Sequence, residues 1–267
     1  RKMKVRNPIL YLWEPFQLDL VEKFSEKLVC YHVYDEISDF VFNNRIKKII
    51  WKYDYRLCKR ADFVFASSRT QYERRKAINQ SIYFIPNGVD FGHFNQALNP
   101  DTKLPVDIQS VPRPILGFAG LIANFMVDIK LLTELVVRCP EWSFVLIGQD
   151  GIRPDESSKI LWGLDNLNFL GQKEVSVLPN YYKAFDVALM PHVIRGHTIS
   201  AYPLTLHEYL SAGLPIVATH LPELDPFKNV VRFAASAGEF IEQIEKSLKD
   251  NSKTIVAKRV AIAKENT

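Results

Sequence analysis

Cysteine is scarce in this chain: three in 267 residues, Cys30, Cys58 and Cys139, at wide and irregular spacing. That excludes a paired disulfide framework or a zinc knuckle and fits a reducing compartment. No apolar run approaches the ~20 residues a membrane span needs, and no signal-peptide pattern is present. A dominant charge is missing too. The formal net charge is +4 at pH 7, too mild and too evenly spread to argue for a nucleic-acid partner. P-loop, Ser-His-Asp and Cys-His patterns are absent, as are tandem repeats and low-complexity tracts. A cytoplasmic protein is the expectation.

What is present is ordinary for a globular protein: 47% hydrophobic and 24% charged residues, in a chain long enough for one large domain or two small ones. The densest basic stretch, "RIKKIIWKYDYRLCKR" (45–60), interleaves cations with Ile, Trp, Tyr and Leu. Its plain reading is a solvated helix face. The sharper reading is a surface that attracts anionic lipid, which would give peripheral contact with the inner, cytoplasmic face of the membrane.

Short β-branched or aromatic runs alternate with longer amphipathic stretches. "ILYLW" (9–13), "LVCYHVY" (28–34), "FVFAS" (63–67) and "IYFIP" (82–86) read as buried strands, with helical spacing at 16–27, 37–60 and 68–78. The second half continues with "PILGFAG" (114–120), "SFVLIG" (143–148), "LNFLG" (167–171), "VALMP" (187–191) and "LPIVAT" (214–219), and with helices expected at 127–138, 174–184, 203–211 and 237–249. This alternation predicts an α/β protein with parallel sheets covered by helices on both faces. The aperiodic segment 95–113, rich in proline, reads as a linker. It separates a first domain, 1–94, from a second, 114–267. The first half supplies about four strands where a nucleotide-binding sheet has six or so, so the first domain is expected to be incomplete at its N-terminus.

The residues with chemical potential cluster near strand ends. In "YPLTLHEYLSAGLPIVAT" (202–219), Pro203 suits the first position of a helix and Gly213 its C-terminal cap. Leu206, Tyr209 and Leu210 share one face, while Thr205, Glu208 and Ala212 form a narrow, partly polar stripe. The helix begins at the carboxyl edge of a parallel sheet, where its free N–H groups and positive dipole end favour phosphate. A carboxylate one turn further in suits a neutral polyol such as ribose. The plain alternative for Glu208 is a solvated helix glutamate.

Gly120, closing "GFAG", allows close approach of a ligand to the backbone, or marks a simple turn. "HVIRGHT" (192–198) offers Arg195 and His197 as an anion clamp or as solvated loop residues. "YHVYDEISDF" (31–40) sets His32, Asp35, Glu36 and Asp39 at a strand end, either a surface loop or a catalytic edge. As a metal site it is poor, because no second cluster completes the shell. No metal and no resident cofactor are expected.

These motifs in this order resemble a glycosyltransferase of the GT-B fold, in particular the large retaining family 4 group and its bacterial polysaccharide and teichuronic-acid members. "ADFVFASSRTQYERR" and "IYFIPNGVDFGHF" (61–94) look like the end of such an enzyme's first, acceptor-side domain. "PILGFAGLIANFMVDIKLL", "PEWSFVLIG" and "LNFLGQKEVSVLPNYYKAFDVALMP" look like its second, donor-side domain.

The resemblance implies transfer of a sugar from a nucleoside diphosphate to a hydroxyl of a glycan or lipid-linked acceptor, with retention and without a metal. It implies that Glu208 holds the donor ribose, that the Gly120 loop meets the diphosphate, and that Gly171, Gln172 and Lys173 meet the base. Leu204 and Thr205 would meet the donor at the helix start. Asp35 falls where many relatives carry the catalytic-site histidine of the first domain. The family's first glutamate is Ser200 here, Leu121 replaces a common arginine and Thr205 a common lysine. Arg195, His197 or Lys130 would then neutralise the diphosphate. Family members also carry a longer N-terminal region and a C-terminal helix, to which "AKENT" looks like the approach. A nucleotide-sugar epimerase of the same fold and a non-catalytic sugar-nucleotide-binding module are the rival readings.

Overall fold

The structure, a computed structural model, describes residues 6–41 and 43–267. The chain divides into two compact units: Arg1–Asn87 with Arg195–Tyr202, and Gly88–Ile194 with Pro203–Thr267. No helix among the described residues is long and apolar enough to cross a membrane.

In the first unit, β1 (Ile9–Leu12), β2 (Leu28–Val33), β3 (Phe63–Ala66) and β4 (Ile82–Phe84) form a parallel sheet in chain order. Helix α1 (Asn44–Arg60) starts where the Asn43 side chain accepts from the N–H groups of Arg45 and Ile46, and it ends on Lys59 and Arg60, which suit the negative dipole end. Ser68 caps α2 (Arg69–Arg75) in the same manner. The helix expected over 16–27 is only a 3-10 turn, Pro15–Leu20. Glu22 and Ser25 adopt left-handed backbone angles that no helix admits. There the Glu26 carboxylate accepts from the N–H groups of Glu22 and Phe24, so the loop satisfies its own donors.

The sheet also differs from the expectation of cover on both faces. Leu12, Val29, Tyr31, Val33, Val64, Ala66 and Ile82 pack with Leu57 and Cys58 of α1 in one core. The alternate residues Tyr11, Phe65 and Tyr83 point the other way, with ring centroids 6.0 and 6.2 Å apart, and Tyr11 and Tyr83 are half exposed. Alternation at period two, not a continuous buried run, describes these strands.

Behind this core lies a buried ion cluster. Arg75 Nε donates to both Asp54 oxygens, at 3.3 and 3.1 Å, and Nη2 donates to Asp54 Oδ1 and Glu36 Oε2, each at 3.0 Å. Tyr31 Oη donates to Asp54 at 2.6 Å and Ser38 Oγ to Glu36 at 3.0 Å. The cluster joins α1, which supplies Asp54, the loop after β2, which supplies Glu36, and α2, which supplies Arg75 and, at 3.4 Å from Glu36, the more exposed Arg74. Removing one partner of such a group leaves a charge stranded in low dielectric.

The second unit has six strands among the described residues: β5 (Ile115–Ala119), β6 (Ser143–Ile147), β7 (Leu167–Gly171), β8 (Val187–Met190), β9 (Ile216–Thr219) and β10 (Val231–Ala234). They are parallel, in the order β10-β9-β8-β5-β6-β7. Counted from β5 as the first, this is the doubly wound order 3-2-1-4-5-6, with its switch point between β5 and β8. Its helices are α3 (Ile129–Arg138), α4 (Glu156–Leu161), α5 (Leu178–Tyr182), α6 (Leu204–Ser211), α7 (Ala237–Lys249) and α8 (Lys253–Lys264), besides single turns.

Here the strands are covered on both faces. Ile115, Val145, Ala188 and Ala218 enter one core, and their neighbours Leu116, Phe144, Leu189 and Val217 enter the other. The segment 95–113 is not extended: Ala97 and Ile108 are buried in the first of these cores. β10, α4 and α8 were not anticipated from sequence. β10 is an edge strand that carries Arg232 half exposed between Val231 and Phe233, so its apolar pattern is broken.

Replacing Asp54 by alanine should destabilise the first unit by about 3–5 kcal/mol, the cost of stranding a buried charge. Tyr31→Phe should cost about 1 kcal/mol, the loss of one hydrogen bond. Urea titration followed by fluorescence and circular dichroism checks both. Near-equal values would show that Arg75 is satisfied without Asp54.

Candidate functional site

Three adjacent strands of the second sheet run out into glycine: Gly120 after β5, Gly148 after β6 and Gly171 at the end of β7. Gly120 N–H donates to Ile147 O at 2.9 Å, and Gly148 N–H donates to Gly171 O at 3.0 Å. Gly120 and Gly148 have φ of 150° and 147°, and a Cβ at position 148 would stand 1.8 Å from the Gly120 carbonyl oxygen. The carboxyl edge is therefore a bare backbone floor. Above it lies a cavity of about 400 Å³ walled by Gly120, Gly148, Gln172, Lys173, Thr205 and Glu208, among others. The location, at the strand carboxyl ends beside the switch point, is where open α/β sheets bind ligands.

The wall opposite the floor is α6. Pro203, expected as the first helical residue, is the residue before it, with φ −72° and ψ 115°, so helical geometry begins at Leu204. The N–H groups of Leu204 and Thr205 in its first turn have no helical partner, while that of Leu206 donates to Pro203 O at 3.3 Å. Leu206, Tyr209 and Leu210 are buried against the sheet. Tyr209 Oη accepts from Ala119 N–H at 2.7 Å, which fixes the helix to the last residue of β5.

Glu208 lies one residue before this anchor and faces the cavity. Tyr182 Oη, fully buried on α5, donates to Glu208 Oε2 at 2.7 Å. Burial raises the Glu208 carboxyl above its ordinary value, while the Tyr182 hydrogen bond and His93 pull it back. The oxygen that Tyr182 leaves unused is an acceptor in a half-dry cavity. That is the property a diol-binding group needs.

Among the described residues, Lys173 is the one cation that lines the cavity. Its Nζ donates to Asp107 Oδ2 at 2.7 Å, and Tyr181 Oη donates to the same carboxylate at 3.0 Å. Burial pushes the Asp107 carboxyl up, but these two donors outweigh it and hold it below its usual range. The Lys173 charge is thus already largely compensated.

Six of the sequence-derived candidates, Gly120, Gln172, Lys173, Leu204, Thr205 and Glu208, line this one cavity. Asp35, Arg195 and Ser200 belong to the first unit. Ser200 is fully buried and its Oγ donates to His197 O at 3.3 Å. His197 stacks on Phe40 with ring centroids 4.5 Å apart. Burial, followed by repulsion from Glu36, raises the Asp35 carboxyl to about 6. Lys130 does not line the cavity; its field falls on Asp155 instead.

Sequence reasoning missed Gly148 and Tyr182. The first was readable as a third strand ending in glycine. The second had no signal, because its role depends on a helix pairing that spacing does not give. Among the described residues, no group of three or more His, Cys, Asp or Glu side chains could hold a metal ion.

Two measurements follow from this geometry. Gly148→Ala should destabilise the second unit by at least about 2 kcal/mol, since positive φ and a backbone clash act together. Gly163→Ala, whose nearest Cβ neighbour is 3.5 Å away, serves as the control in calorimetric melting.

The second concerns His207, 1% exposed on the core side of α6, whose pKa burial lowers from 6.5 to about 4. The unfolded chain takes up this proton first as pH falls. The stabilising effect is therefore full above pH 6.5 and is lost as pH falls towards 4, by about 3 kcal/mol. His207→Gln should flatten that fall in urea titrations at pH 7.5 and 4.5.

The comparisons with known proteins agree with this architecture. TuaH of Bacillus subtilis (strain 168), assigned to teichuronic acid biosynthesis as a glycosyltransferase, is 28% identical over 214 residues, 77% of this chain and 53% of that protein. The chain thus spans about half the length of this relative. HepE of Anabaena, whose crystal structures include complexes with UDP and with UDP-glucose, superposes with TM-score 0.73 at 16% identity, over 97% of this chain and 74% of that one. Sucrose-phosphate synthase of Thermosynechococcus elongatus gives TM-score 0.73 at 17% identity, over 97% and 69%. These likenesses identify the fold as GT-B. The profile of the family Glycosyl transferases group 1 matches residues 113–250, which run from the start of β5 to the end of α7 and contain the whole cavity floor, so the chain belongs to that family.

Proposed function

We propose that this chain carries the donor site of a hexosyltransferase that moves a sugar from a nucleoside diphosphate to a hydroxyl of a glycan or lipid-linked acceptor in cell-envelope polysaccharide synthesis, with retention and without a metal. The observation that carries this reading is Glu208: a half-buried carboxylate, oriented by Tyr182, facing a backbone floor at the carboxyl edge of a doubly wound sheet. The ribose diol donates to Glu208. The diphosphate lies between the Gly120 backbone and the first turn of α6 at Leu204 and Thr205, and the base lies towards Gln172 and Lys173.

In the reaction, the bond from the anomeric carbon to the phosphate oxygen breaks, the acceptor oxygen takes its place, and the acceptor's hydroxyl proton passes to the departing phosphate oxygen. The leaving diphosphate gains charge as this happens. Fixed N–H groups and the helix dipole stabilise that charge without reorganising, which is where preorganised sites lower a barrier. Asp35 is proposed as the catalytic group of the first unit. Its pKa of about 6 leaves it mostly ionised at neutral pH and able to hold a proton in mild acid.

One observation favours a second reading. Lys173 is compensated by Asp107, so no unpaired side-chain cation among the described residues lines the cavity. A module that holds the nucleotide without turnover would look the same, and product analysis on the full-length protein separates the two. The exposed face of α1 fits the peripheral membrane contact: Ile46, Ile49 and Tyr55 stand among Lys48, Lys52 and Arg56.

Calorimetric titration of UDP, GDP and dTDP is the test. One nucleotide should bind saturably, and Glu208→Ala should weaken it about tenfold or more, as expected for charge-assisted hydrogen bonds. Equal binding by the variant, or no binding by the full-length protein, overturns the donor-site assignment.

A further inference from the structure

A second cavity, of about 300 Å³, opens at the other end of the second sheet. Ile216 and Val231, the first residues of β9 and β10, line it, so it sits at the amino edge while the donor cavity sits at the carboxyl edge. Its wall carries four cations, Lys228, Arg232, Lys258 and Arg259, against one carboxylate, Asp250. Arg232 Nη2 donates to Asp250 Oδ2 at 3.2 Å, which leaves three positive charges uncompensated within the cavity wall.

Arg259 makes this more than a basic patch. It is 4% exposed. Its Nη1 donates to Gly213 O at 3.1 Å and to Asn251 Oδ1 at 2.7 Å, so the guanidinium is held in place by two neutral acceptors. Its Nε is buried with no hydrogen-bond partner among the described residues. Burial, then repulsion by Arg232, lowers its pKa to about 10, with Asp250 acting the other way. A buried cation without a hydrogen-bonded counter-charge, beside a second cation that holds the Asp250 carboxylate, is costly to leave in that state. The arrangement lowers its free energy when an anion enters. The amino end of α8, whose first turns contribute Ile255 and Lys258, adds a dipole of the same sign.

We propose that this cavity is a second ligand site, specific for a phosphoryl group, distinct from the donor site. A guanidinium fork held rigid and flanked by two mobile ammonium groups matches a compact dianion better than a carboxylate. A cavity of this volume lies at the small end of ligand sites and suits a small phosphate ester, either free or as a phospholipid headgroup. It is too small to hold a second nucleotide sugar whole.

The test uses inorganic phosphate and glycerol 3-phosphate, each titrated into the chain and followed by amide NMR. The expected result is saturating shifts at Val231, Ile255 and Lys258, with no shift at Gly120 or Thr205. The double variant Lys228→Ala/Lys258→Ala changes two exposed side chains outside the donor cavity, so it should fold and bind UDP as before. Its phosphate affinity should fall at least about tenfold, and the remaining affinity should depend less on salt.

Co-sedimentation with vesicles of phosphatidylglycerol, against phosphatidylcholine alone, identifies the source. Vesicle binding lost in the double variant assigns the site to a lipid headgroup, and binding of glycerol 3-phosphate without vesicle binding assigns it to a free ester. Shifts confined to the donor cavity, phosphate affinity unchanged in the double variant, or no binding of any probe overturns the proposal. Because UDP binding is read separately, failure here leaves the donor-site reading standing.

Discussion

The carbonyl oxygen of Gly120 occupies the place where any side chain at position 148 would begin. That close approach lets the ends of β5 and β6 come flush, and Gly171 extends the same bare edge to β7. A ligand lying there meets backbone and, at the three glycines, no Cβ atoms. The cavity wall is then set by what is attached to this edge. Tyr209 ties α6 to Ala119, and the register of the helix follows from that single hydrogen bond together with the burial of Leu206 and Leu210. One residue before the anchor, the helix turns Glu208 outward over the floor. The position of the Glu208 carboxylate is thus a consequence of how a strand end is closed.

Charge is handled differently in three of the buried polar groupings among the described residues. Around Arg75 the carboxylates of Asp54 and Glu36 are close and hydrogen-bonded, so the charge is met within the protein, although Nη1 is buried without a hydrogen-bond partner among the described residues. Around Glu208 a single donor, Tyr182, satisfies one oxygen and leaves the other facing the cavity. Around Arg259 the hydrogen-bond partners are neutral, Arg232 repels, and Asp250, which is paired to Arg232, offsets this only in part. The first arrangement closes on itself and serves the fold. The other two are incomplete within the protein, and each incompleteness has a sign: an acceptor over the glycine floor, a cation at the opposite edge. The sign is what selects a diol in one place and a phosphoryl group in the other.

Much of this was readable in the residues. The strand-helix alternation gave the order of nine of the strands, because buried parallel strands leave continuous apolar runs such as "SFVLI" that few other elements produce. Residues 120, 172, 173, 204, 205 and 208, drawn from three separate motifs, line one cavity, since strand carboxyl ends converge by topology. The edge strand β10 was hidden because Arg232 interrupts its pattern, and the helix expected over 16–27 was lost to left-handed backbone at Glu22 and Ser25, which propensity does not foresee. Tyr182 and Arg259 act through pairings between distant segments, 26 and 46 residues from their partners, and no local pattern carries that information.

The residues at 121 and 205, where the resemblance implies arginine and lysine, also take on physical meaning here. With Leu at 121 and Thr at 205, the carboxyl-edge cavity presents no unpaired side-chain cation among the described residues, and Lys173 is drawn off by Asp107. A diphosphate in this cavity would therefore lean on neutral donors, the first-turn N–H groups of Leu204 and Thr205 in α6 and the hydroxyl of Thr205, with the Gly120 backbone allowing close approach. Such donors do not titrate and are not screened as free charges are, and each is modest alone. Binding held by several of them depends on their staying in register with one another. That requirement falls on the Gly120–Gly148 contact and on the Tyr209 tether, so the rigidity of the strand ends stands in for the charge that the side chains lack.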